Sequence, residues 1–581
     1  NAAILMPLAT AGAKDPQPSD DCEQLVLQTR SRLPPVLEHL DAEATQHLQR
    51  AIHCFARRSQ GSLLAPFTAS LTGVVRECLH LPAAEWHPAV WSILEEMAAM
   101  IPPRGSLPPE LVVDAWERFS AIQSTGDLRS QQRSQLLGAQ ILSVLEHVAP
   151  KLPGAAAKRL QKDLCARLSV GMPDEQARVA LQVVIRLDAS GRLCAVDCKT
   201  WRSTLFRSFE AKLAAYVRSG ENAATICHCI FMLGELALME EGSISVSTVI
   251  ALQSIAANKA AFGGVGANAQ GHAVAALGKL CLQREVLAKR SVETFVLYLG
   301  EGEPLAVRSN ALVVLGDLCV RYTSLVDRFL PCLSELLRDP NELLRRQSAM
   351  ILASLLSENY VKFRGSLMFR FLFALSDPAE TVRNLVECVF VQMLLRRTPA
   401  LFAQHFVDAL CTLNGWAGHP SYQGAAGNEQ FSLHTCRGRR TGVYRFMLSM
   451  MTMEQKFSVC SQLVTGFLAA FVEGEEGQCL ELPKTGAEPA GQAFGDVLAL
   501  LACKEMRVCF SPKLAGQEDI IDGDDEGPST SSAMAGGVVS TGVEVARGAL
   551  SGMLKSVVCE SVAPVLVQLK NKMEEQRSPF L

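Results

Sequence analysis

Between Gly302 and Leu394 the chain repeats one pattern of apolar and polar positions three times. Each repeat has an apolar helical segment, a turn made of an acidic residue and a proline, and a second helical segment that opens with a branched apolar residue and an arginine. The turns and openings are Glu303-Pro304 with Val307-Arg308, Asp339-Pro340 with Leu344-Arg345, and Asp377-Pro378 with Val382-Arg383. Proline suits the first turn of a helix, where its missing N–H has no intrahelical partner. The pattern therefore predicts three consecutive helix pairs.

The repeats are evenly spaced. Arg308 and Arg345 lie 37 positions apart, and Arg345 and Arg383 lie 38 apart. A step of 38 also aligns the segment 273–281 with the segment 311–319. A single helix pair cannot bury its apolar faces, but stacked on its neighbours it contributes to one continuous core. A period near 40 with two helices in each period predicts an all-α fold, a HEAT- or armadillo-like α-solenoid of stacked helix hairpins.

The acid and the arginine of each repeat are candidates for a structural ladder. Asp339 and Asp377 each precede an arginine by six residues, so each carboxylate can pair with the arginine of its own repeat or with that of the next one. We interpret Arg308, Arg345 and Arg383, together with the two aspartates, as a ladder that fixes the stacking of the repeats. The competing interpretation, that these arginines contact DNA, is less favoured because such a ladder stabilises repeats whether or not DNA is present.

Helical patterns continue on both sides of this core. Thr452 and Gln455 have the spacing of a capping box at the start of a helix. The basic run 437–440 precedes a predicted helix from Gly442 to Met451. The predicted segments are a disordered lead-in at 1–20, diverged helical repeats at 21–260, the repeat core at 261–400, further helical repeats at 401–510, an acidic low-complexity insert at 511–540, and a C-terminal helix at 541–581.

Composition narrows the class of protein. The chain has 581 residues, of which 49% are apolar and 20% charged, as in globular proteins. Its net charge is -4, so any contact with nucleic acid must come from a local basic patch. The 19 cysteines fall mostly in apolar helical patterns, which favours a reducing compartment without disulfides. The apolar run Ile226–Met239 is too short to span a membrane. The chain begins at Asn1 rather than at a methionine, and we expect it to be a fragment.

Candidate chemistry is weak throughout. Cys194, Cys198, Cys227, His228 and Cys229 raise the question of zinc, but the last three are adjacent on a predicted helix and point apart, so they are poor co-ligands. A structural role is the favoured interpretation, and no metal or cofactor is expected. Phosphate-binding loops and nucleophile–base sets are likewise absent from the sequence, which favours a scaffold over an enzyme.

Several segments, in their order along the chain, resemble a known family. The stretch Val307–Tyr322 resembles a characteristic segment of the HEAT-repeat D-type subunits of condensin. The similarity continues through 325–330 and 363–371, and the segments 402–406, 431–433, 443–446 and 452–457 resemble condensin II more than condensin I. Residues 1–260 resemble the family only in being helical.

The resemblance implies a role rather than a reaction. It implies a non-catalytic regulatory subunit of condensin II that binds the kleisin subunit and, through the complex, the SMC ATPase heterodimer and the other HEAT subunit. It also implies contact with chromatin or DNA, a nuclear and chromosomal location, and a function in mitotic chromosome condensation and segregation, with no membrane partner. The alternative is a HEAT-repeat transport or trafficking scaffold, of the karyopherin or adaptor kind, that binds partner peptides without DNA.

Basic residues outside the ladder are the candidates for DNA contact. Phosphate contacts require positive groups along one face and no base reading. Some of these side chains are equally explained as solvated charges or as partners of helix C-termini. The candidates are Arg437, Arg439, Arg440 and Arg445, then Lys362, Arg364, Arg396 and Arg397, and also Arg346 and Arg370.

Two serine–proline dipeptides, Ser511-Pro512 and Ser578-Pro579, match the minimal pattern for proline-directed phosphorylation. Such dipeptides are common, so they give only a hypothesis of regulation.

Overall fold

The structure is a computed structural model, and it describes the greater part of the chain in separate stretches. The described residues are 72–82, 86, 88–98, 107–121, 128–191, 195–220, 225–239, 245–257, 266–361, 365–423, 429–472, 479–506 and 558–580. These residues form helices and turns, and no β-strand occurs among them. The predicted all-α fold is therefore confirmed. The predicted lead-in at 1–20 and the acidic insert at 511–540 lie outside the described residues.

The chain divides into two compact units. The first contains Asn1–Ser291 and Gly302–Asn310, and the second contains Val292–Glu301 and Ala311–Leu581. The six segments predicted from the sequence follow a different division and stay a prediction.

The first unit is a series of helix pairs. Its helices are Pro88–Ala98, Pro109–Ser120, Leu128–Val148, Gly154–Val170, Asp174–Ala189, Ala195–Ser219, Ile226–Ala237, Val246–Ala257 and Gly266–Gln283. Two further helices, Glu285–Leu297 and Leu305–Arg321, belong partly to each unit.

The second unit continues the series with shorter helices. Its main helices are Leu330–Glu335, Glu342–Ser357, Gly365–Ala374, Glu380–Cys388, Leu401–Gln404, Phe406–Asn414, Arg437–Ser449, Met453–Ser461, Pro489–Leu501 and Ala563–Glu575. Three π-helical segments, Val389–Leu394, Gln462–Leu468 and Val558–Val562, extend or precede these helices. The capping box predicted at Thr452 and Gln455 is confirmed.

Within each unit, first helices pack on first helices and second helices on second helices. In the first unit the helix Leu128–Val148 contacts Asp174–Ala189, and Ile226–Ala237 contacts Gly266–Gln283. In the second unit Glu342–Ser357 contacts Glu380–Cys388. This arrangement in two layers is the stacking that a HEAT repeat requires.

The core follows the apolar stripe that the repeats carry. Ala311, Leu312, Leu315 and Leu318 are all buried, as their spacing of one, four and seven predicts for a helix. Gly316 in the same helix allows a close approach, because a Cβ atom there would lie 2.8 Å from Cγ2 of Ile351. The neighbouring helices pack so closely that this position tolerates no side chain without a local shift.

One predicted helix boundary is wrong. The helix that was predicted to start at Gly442 begins at Arg437, so the basic run 437–440 forms its first turn. The run is therefore helical rather than a loop, and its three arginines point in different directions around the helix axis.

Candidate functional site

Arg345 is held in a buried site between two successive repeats. Its Nε donates to Oδ2 of Asp377 at 2.6 Å, and its Nη2 donates to Oδ1 at 3.0 Å. Its Nη1 donates to the backbone oxygens of Asp339 and Pro340 at 2.9 and 3.1 Å. We call such an arrangement an arginine lock: a buried arginine that binds an aspartate through one edge and two backbone oxygens just before its own helix through the other.

The direction of this pairing differs from the prediction. Asp377 was expected to bind the arginine of its own repeat or of the next one, but its side chain binds Arg345 of the preceding repeat. Arg383 of its own repeat instead donates to the backbone oxygens of Asp377 and Pro378 at 2.6 and 2.9 Å. The reason is geometric, since Oδ1 of Asp377 also accepts from the N–H of Ala379 and closes the turn. The turn holds the carboxylate so that both of its oxygens face the guanidinium of Arg345 in the stacked helix.

The other members of the predicted ladder lie at equivalent places. Asp339 closes its turn in the same way, accepting from the N–H of Asn341 at 2.8 Å. Arg308 and Asp339 are both buried. Arg383 is only half-buried. The ladder residues therefore sit at repeat turns, and Arg345 with Asp377 joins one repeat to the next.

Arg440 forms a second arginine lock, which the sequence interpretation missed. Its Nε donates to Oδ2 of Asp496 at 2.7 Å, and its Nη1 donates to the backbone oxygens of Leu433 and His434 at 2.9 and 2.7 Å. The side chain is only 2% exposed. The expectation that Arg440 contacts DNA is therefore wrong, because the whole guanidinium is occupied inside the protein.

A signal for this second lock was present in the helix pattern. Arg440 lies three, four, seven and eight positions before Val443, Tyr444, Met447 and Leu448, which are all buried. That spacing places the arginine on the buried face of the helix. The signal was obscured because Arg440 follows two other arginines and has no acidic residue and proline before it.

Asp496 is the centre of a buried polar network. Nδ2 of Asn414 donates to Oδ2 of Asp496 at 3.2 Å and to the hydroxyl oxygen of Tyr444 at 3.0 Å. Burial and the nearby Asp496 carboxylate raise the pKa of Tyr444 well above its ordinary value. The phenol therefore stays protonated and can donate to Asp496. Arg440 supplies the positive charge that this buried carboxylate needs.

Two more candidate arginines have structural partners. Arg370 is buried and donates to Oγ of Ser334 and to the backbone oxygen of Pro331, and its guanidinium lies 4.8 Å from the ring centre of Phe431. Burial lowers its pKa. A DNA contact by Arg370 is therefore excluded. Arg397 donates to the backbone oxygens of Leu356 and Ser357 and so caps a helix C-terminus.

The remaining candidates divide into exposed cations and positions outside the described residues. Arg346, Arg396, Arg437, Arg439 and Arg445 are exposed. Arg445 forms a surface ion pair with Glu505 at 3.4 Å. Lys362 and Arg364 lie outside the described residues. A turn of 100° per residue places Arg437 and Arg439 on either side of the buried Arg440. The basic run 437–440 therefore consists of two exposed arginines, Arg437 and Arg439, on either side of the arginine lock formed by Arg440.

Metal ligation and membrane insertion are two further possibilities for the part of the chain that the structure describes. No group of three or more His, Cys, Asp or Glu residues there could hold a metal ion. No helix among those residues is long and apolar enough to cross a membrane. His228, one of the considered zinc ligands, is buried, and its Nε2 lies 2.8 Å from the backbone oxygen of Leu168.

His419 is the most enclosed histidine of the second unit. Its ring stacks on Phe467, with ring centres 4.3 Å apart, and Nε2 lies 3.1 Å from the Phe467 backbone oxygen. Nδ1 accepts from the N–H of Ser421 at 3.1 Å, so Nε2 carries the proton and donates to Phe467. Burial lowers the pKa of this imidazole, and the hydrogen bond to Phe467 acts in the opposite direction.

We expect His419 to make the protein less stable in acid. Because its folded-state pKa is lowered, the unfolded chain binds the proton first. Its contribution to stability is then fully present above the ordinary pKa, about 6.5, and is lost as pH falls below that value. Melting temperatures between pH 7 and pH 5 should therefore fall less steeply for His419→Gln than for the parent chain. Equal slopes would contradict this assignment.

The stacked helix pairs and the arginine locks define a HEAT-type α-solenoid, a class of protein that offers long surfaces rather than enclosed catalytic clefts. Comparison with known proteins narrows the class. Residues 306–472 match the Cnd1 family, described as non-SMC mitotic condensation complex subunit 1.

The relatives are subunits of one complex. Condensin-2 complex subunit D3 of Mus musculus is 27% identical over 581 residues, covering 92% of this chain and 36% of the relative. Subunit D3-L of Xenopus laevis is 26% identical with the same coverage, and CAP-D3 of Arabidopsis thaliana is 29% identical over 52% of this chain and 22% of its own length. The chain thus spans about a third of the length of the first two relatives. Over most of its length it is therefore similar to the D-type HEAT-repeat subunits of condensin II.

Solved structures offer a comparison of fold. The Cnd3–Cnd2 subcomplex of S. pombe condensin covers 80% of this chain and 64% of its own, with a TM-score of 0.46 and 13% identity. Yeast importin-beta, Kap95p, covers 99% of this chain and 68% of its own, with a TM-score of 0.35 and 14% identity. The sequence relatives, rather than these folds, favour condensin over the transport scaffold that was the alternative.

Proposed function

We propose that this chain is a non-catalytic part of condensin II that binds the kleisin subunit along a continuous face of its central repeats. Through the complex it acts with the SMC ATPase heterodimer and the other HEAT subunit, in the nucleus and on chromosomes, to support mitotic condensation and segregation. The observation that carries this proposal is the similarity to condensin II D3 subunits over 92% of the chain. The ATPase activity of the complex is then supplied by other subunits.

The second helices of the repeats offer a face for the kleisin. Val313, Met350 and Cys388 each lie five positions after a ladder arginine, and all three are exposed. Neighbouring packed helices lie about 8–10 Å apart. Three residues of an extended chain span about the same distance. An extended kleisin segment can therefore place one apolar side chain against each repeat.

The test is co-elution from a size-exclusion column. The 581-residue chain is co-expressed with the condensin II kleisin and, separately, with the condensin I kleisin. We expect a stable complex with the former only. Binding to neither kleisin, or equal binding to both, would contradict the proposal.

A substitution on the proposed face tests its position. Met350→Glu should weaken kleisin binding by about tenfold, because it introduces a charge that becomes desolvated in the complex. Val567→Glu is the matched control, since Val567 is 58% exposed and Met350 is 54% exposed, but Val567 lies on the helix Ala563–Glu575. Titration calorimetry measures both affinities. If the two variants bind equally well, the face is wrongly placed.

For DNA, we propose contact through the exposed cations Arg437, Arg439 and Arg445 of one helix. The side chain of Arg437 is 71% exposed, and its Nε lies 3.9 Å from Oδ1 of Asp496, beyond hydrogen-bond distance. Its charge therefore remains available to a phosphate. Arg439 is exposed on the other side of the same helix turn. The contact is with phosphates and carries no sequence preference.

Replacing all three of these arginines by alanine should flatten the salt dependence of DNA binding. Each lost phosphate contact lowers the slope of log affinity against log salt by about one. Fluorescence anisotropy with a duplex at several salt concentrations measures this slope. Arg346→Ala is the control, because it removes an exposed arginine from a different helix. An unchanged slope in the triple variant would remove this helix from the DNA contact.

A further inference from the structure

The last described helix is attached firmly to the second unit. Val565, Leu569 and Met573 form its buried stripe. Nζ of Lys572 donates to the backbone oxygen of Phe471 at 2.6 Å and contacts Sγ of Cys479 at 3.4 Å. This helix, Ala563–Glu575, therefore has a fixed position from which the following residues extend.

The residues after this helix insert an aromatic ring into a slot, which we define by Gly486, Phe494 and Gly495. The ring of Phe580 meets Phe494 edge to face, with centres 5.2 Å apart. A Cβ atom on Gly495 would lie 3.2 Å from Cε1 of Phe580, and one on Gly486 would lie 3.8 Å from its Cζ. The glycines therefore leave room for the ring.

The slot opens onto a pocket of about 480 Å³. Phe580 is one wall of this pocket, and its other lining residues include His434, Arg437 and Gln492. The aromatic ring is half-buried, so it closes the slot without filling the pocket. Withdrawing the ring would expose Phe494 and join the slot to the pocket.

Ser578 controls how Phe580 reaches the slot. Its backbone N–H donates to the oxygen of Met573 at 2.9 Å, and its Oγ accepts from the N–H of Phe580 at 3.4 Å. The preceding Arg577 has a φ of 48°, in the left-handed region, so the chain reverses at this point. The serine hydroxyl is thus part of the turn that seats the ring.

The surroundings of Ser578 are unfavourable for added negative charge. Ser578 follows a helix C-terminus, where the unpaired carbonyl oxygens carry partial negative charge. Glu574 and Glu575 are exposed in the last turn, and Lys570 is already paired with Glu574 at 3.5 Å. Arg577 is exposed to solvent, where an ion pair contributes little.

We propose that Ser578, which is followed by Pro579, is a phosphorylation site for a proline-directed serine/threonine kinase, and that its phosphorylation withdraws Phe580 from the slot. In the reaction, Ser578 Oγ forms a bond to the γ-phosphorus of ATP, its proton passes to the base of the kinase, and the bond to the ADP oxygen breaks. The product carries about two negative charges beside the helix C-terminus and the two glutamates, which disfavours the seated turn.

The seated turn and the kinase compete for the same residues. A kinase needs Ser578 in an extended, accessible segment, whereas the seated turn half-buries it. By linkage, a change that empties the slot must favour phosphorylation, and phosphorylation must favour the empty slot. Phe580→Ala empties the slot without touching Ser578.

The experiment treats the 581-residue chain with a cyclin-dependent kinase and ATP. Mass spectrometry measures phosphate at each site, and hydrogen exchange measures opening of residues 486–501 and 576–580. We expect phosphate at Ser578, exchange in both segments faster by about tenfold, and the same pattern in unphosphorylated Phe580→Ala. Phe580→Ala should also be phosphorylated faster at Ser578. Kinase treatment should leave Ser578→Ala without phosphate at that position and with the same exchange as its own untreated sample.

Thr398, an exposed residue that is followed by Pro399, serves as the internal reference site. Its rate of phosphorylation should be the same in Phe580→Ala and in the parent chain. A peptide of residues 572–581 shows whether the kinase accepts the sequence at all. The proposal is overturned if the peptide is refused, if Ser578 in the chain stays unmodified, or if phosphate at Ser578 leaves the exchange of residues 486–501 unchanged.

Discussion

Arg440→Met is expected to lower the free energy of unfolding of the second unit by about 3–5 kcal/mol. The substitution keeps a long side chain but removes the charge that faces Asp496, which is 4% exposed. Asp496 then stays buried with Asn414 and Tyr444 as hydrogen-bond partners, and the nearest cation is the largely exposed Arg437 at 3.9 Å. The backbone oxygens of Leu433 and His434 lose their donor as well. A buried carboxylate without its counter-charge is among the most destabilising changes in a protein core.

Arg437→Met is the matched control for this prediction. It lies in the same helix turn, but its side chain is 71% exposed, so the effect should stay within about 0.5 kcal/mol. Hydrogen exchange of the helices Arg437–Ser449 and Pro489–Leu501 measures both variants locally. The double variant Arg440→Met with Asp496→Leu should recover part of the lost stability, because no charge is then left unpaired. Equal exchange in the two single variants would show that Arg440 is not a lock.

Arg345→Met is expected to cost about 3–5 kcal/mol at the contact between two repeats. The Asp377 side chain is 2% exposed, so its carboxylate is left unpaired in the core. The destabilisation should be distributed differently from that in Arg440→Met, because the lock of Arg345 joins the helix Glu342–Ser357 to the turn of the next repeat. We therefore expect faster exchange on both sides of the contact, in Glu342–Ser357 and in Glu380–Cys388.

Arg346→Met is the control here, since Arg346 is the next residue in the chain and is exposed. Its exchange should match that of the parent chain. If Arg345→Met opens only its own helix, the lock does not hold the repeats together. If both variants exchange like the parent chain, the lock contributes nothing to stability.

The fold could be predicted because each repeat contains the full pattern within one short stretch of sequence. The acidic residue, the proline and the apolar stripe around Leu312 and Leu315 recur at one spacing. Such a period can be recognised from the sequence alone, even when the contacts between the repeats are unknown. The partner of Asp377 could not be predicted in the same way. It depends on how the turn that Asp377 closes with Ala379 orients the whole carboxylate, and that is a property of the folded backbone.

The basic residues show a second limit. Arg437, Arg439 and Arg440 look alike in the sequence, yet one is enclosed and two are exposed. The difference is set by the start of the helix, which lies at Arg437 rather than Gly442. A shift of a few residues in a helix boundary changes which arginine faces the core. Asp496, the partner of Arg440, lies 56 positions away, and no sequence spacing relates the two.

We propose above all that the chain binds the condensin II kleisin along the second helices of its central repeats. Hydrogen exchange of the 581-residue chain, alone and with that kleisin, tests it most directly. We expect slower exchange on binding in Leu305–Arg321, Glu342–Ser357 and Glu380–Cys388 together, because one extended segment crosses all three. Unchanged exchange in these helices, with slower exchange elsewhere in the chain, would contradict it.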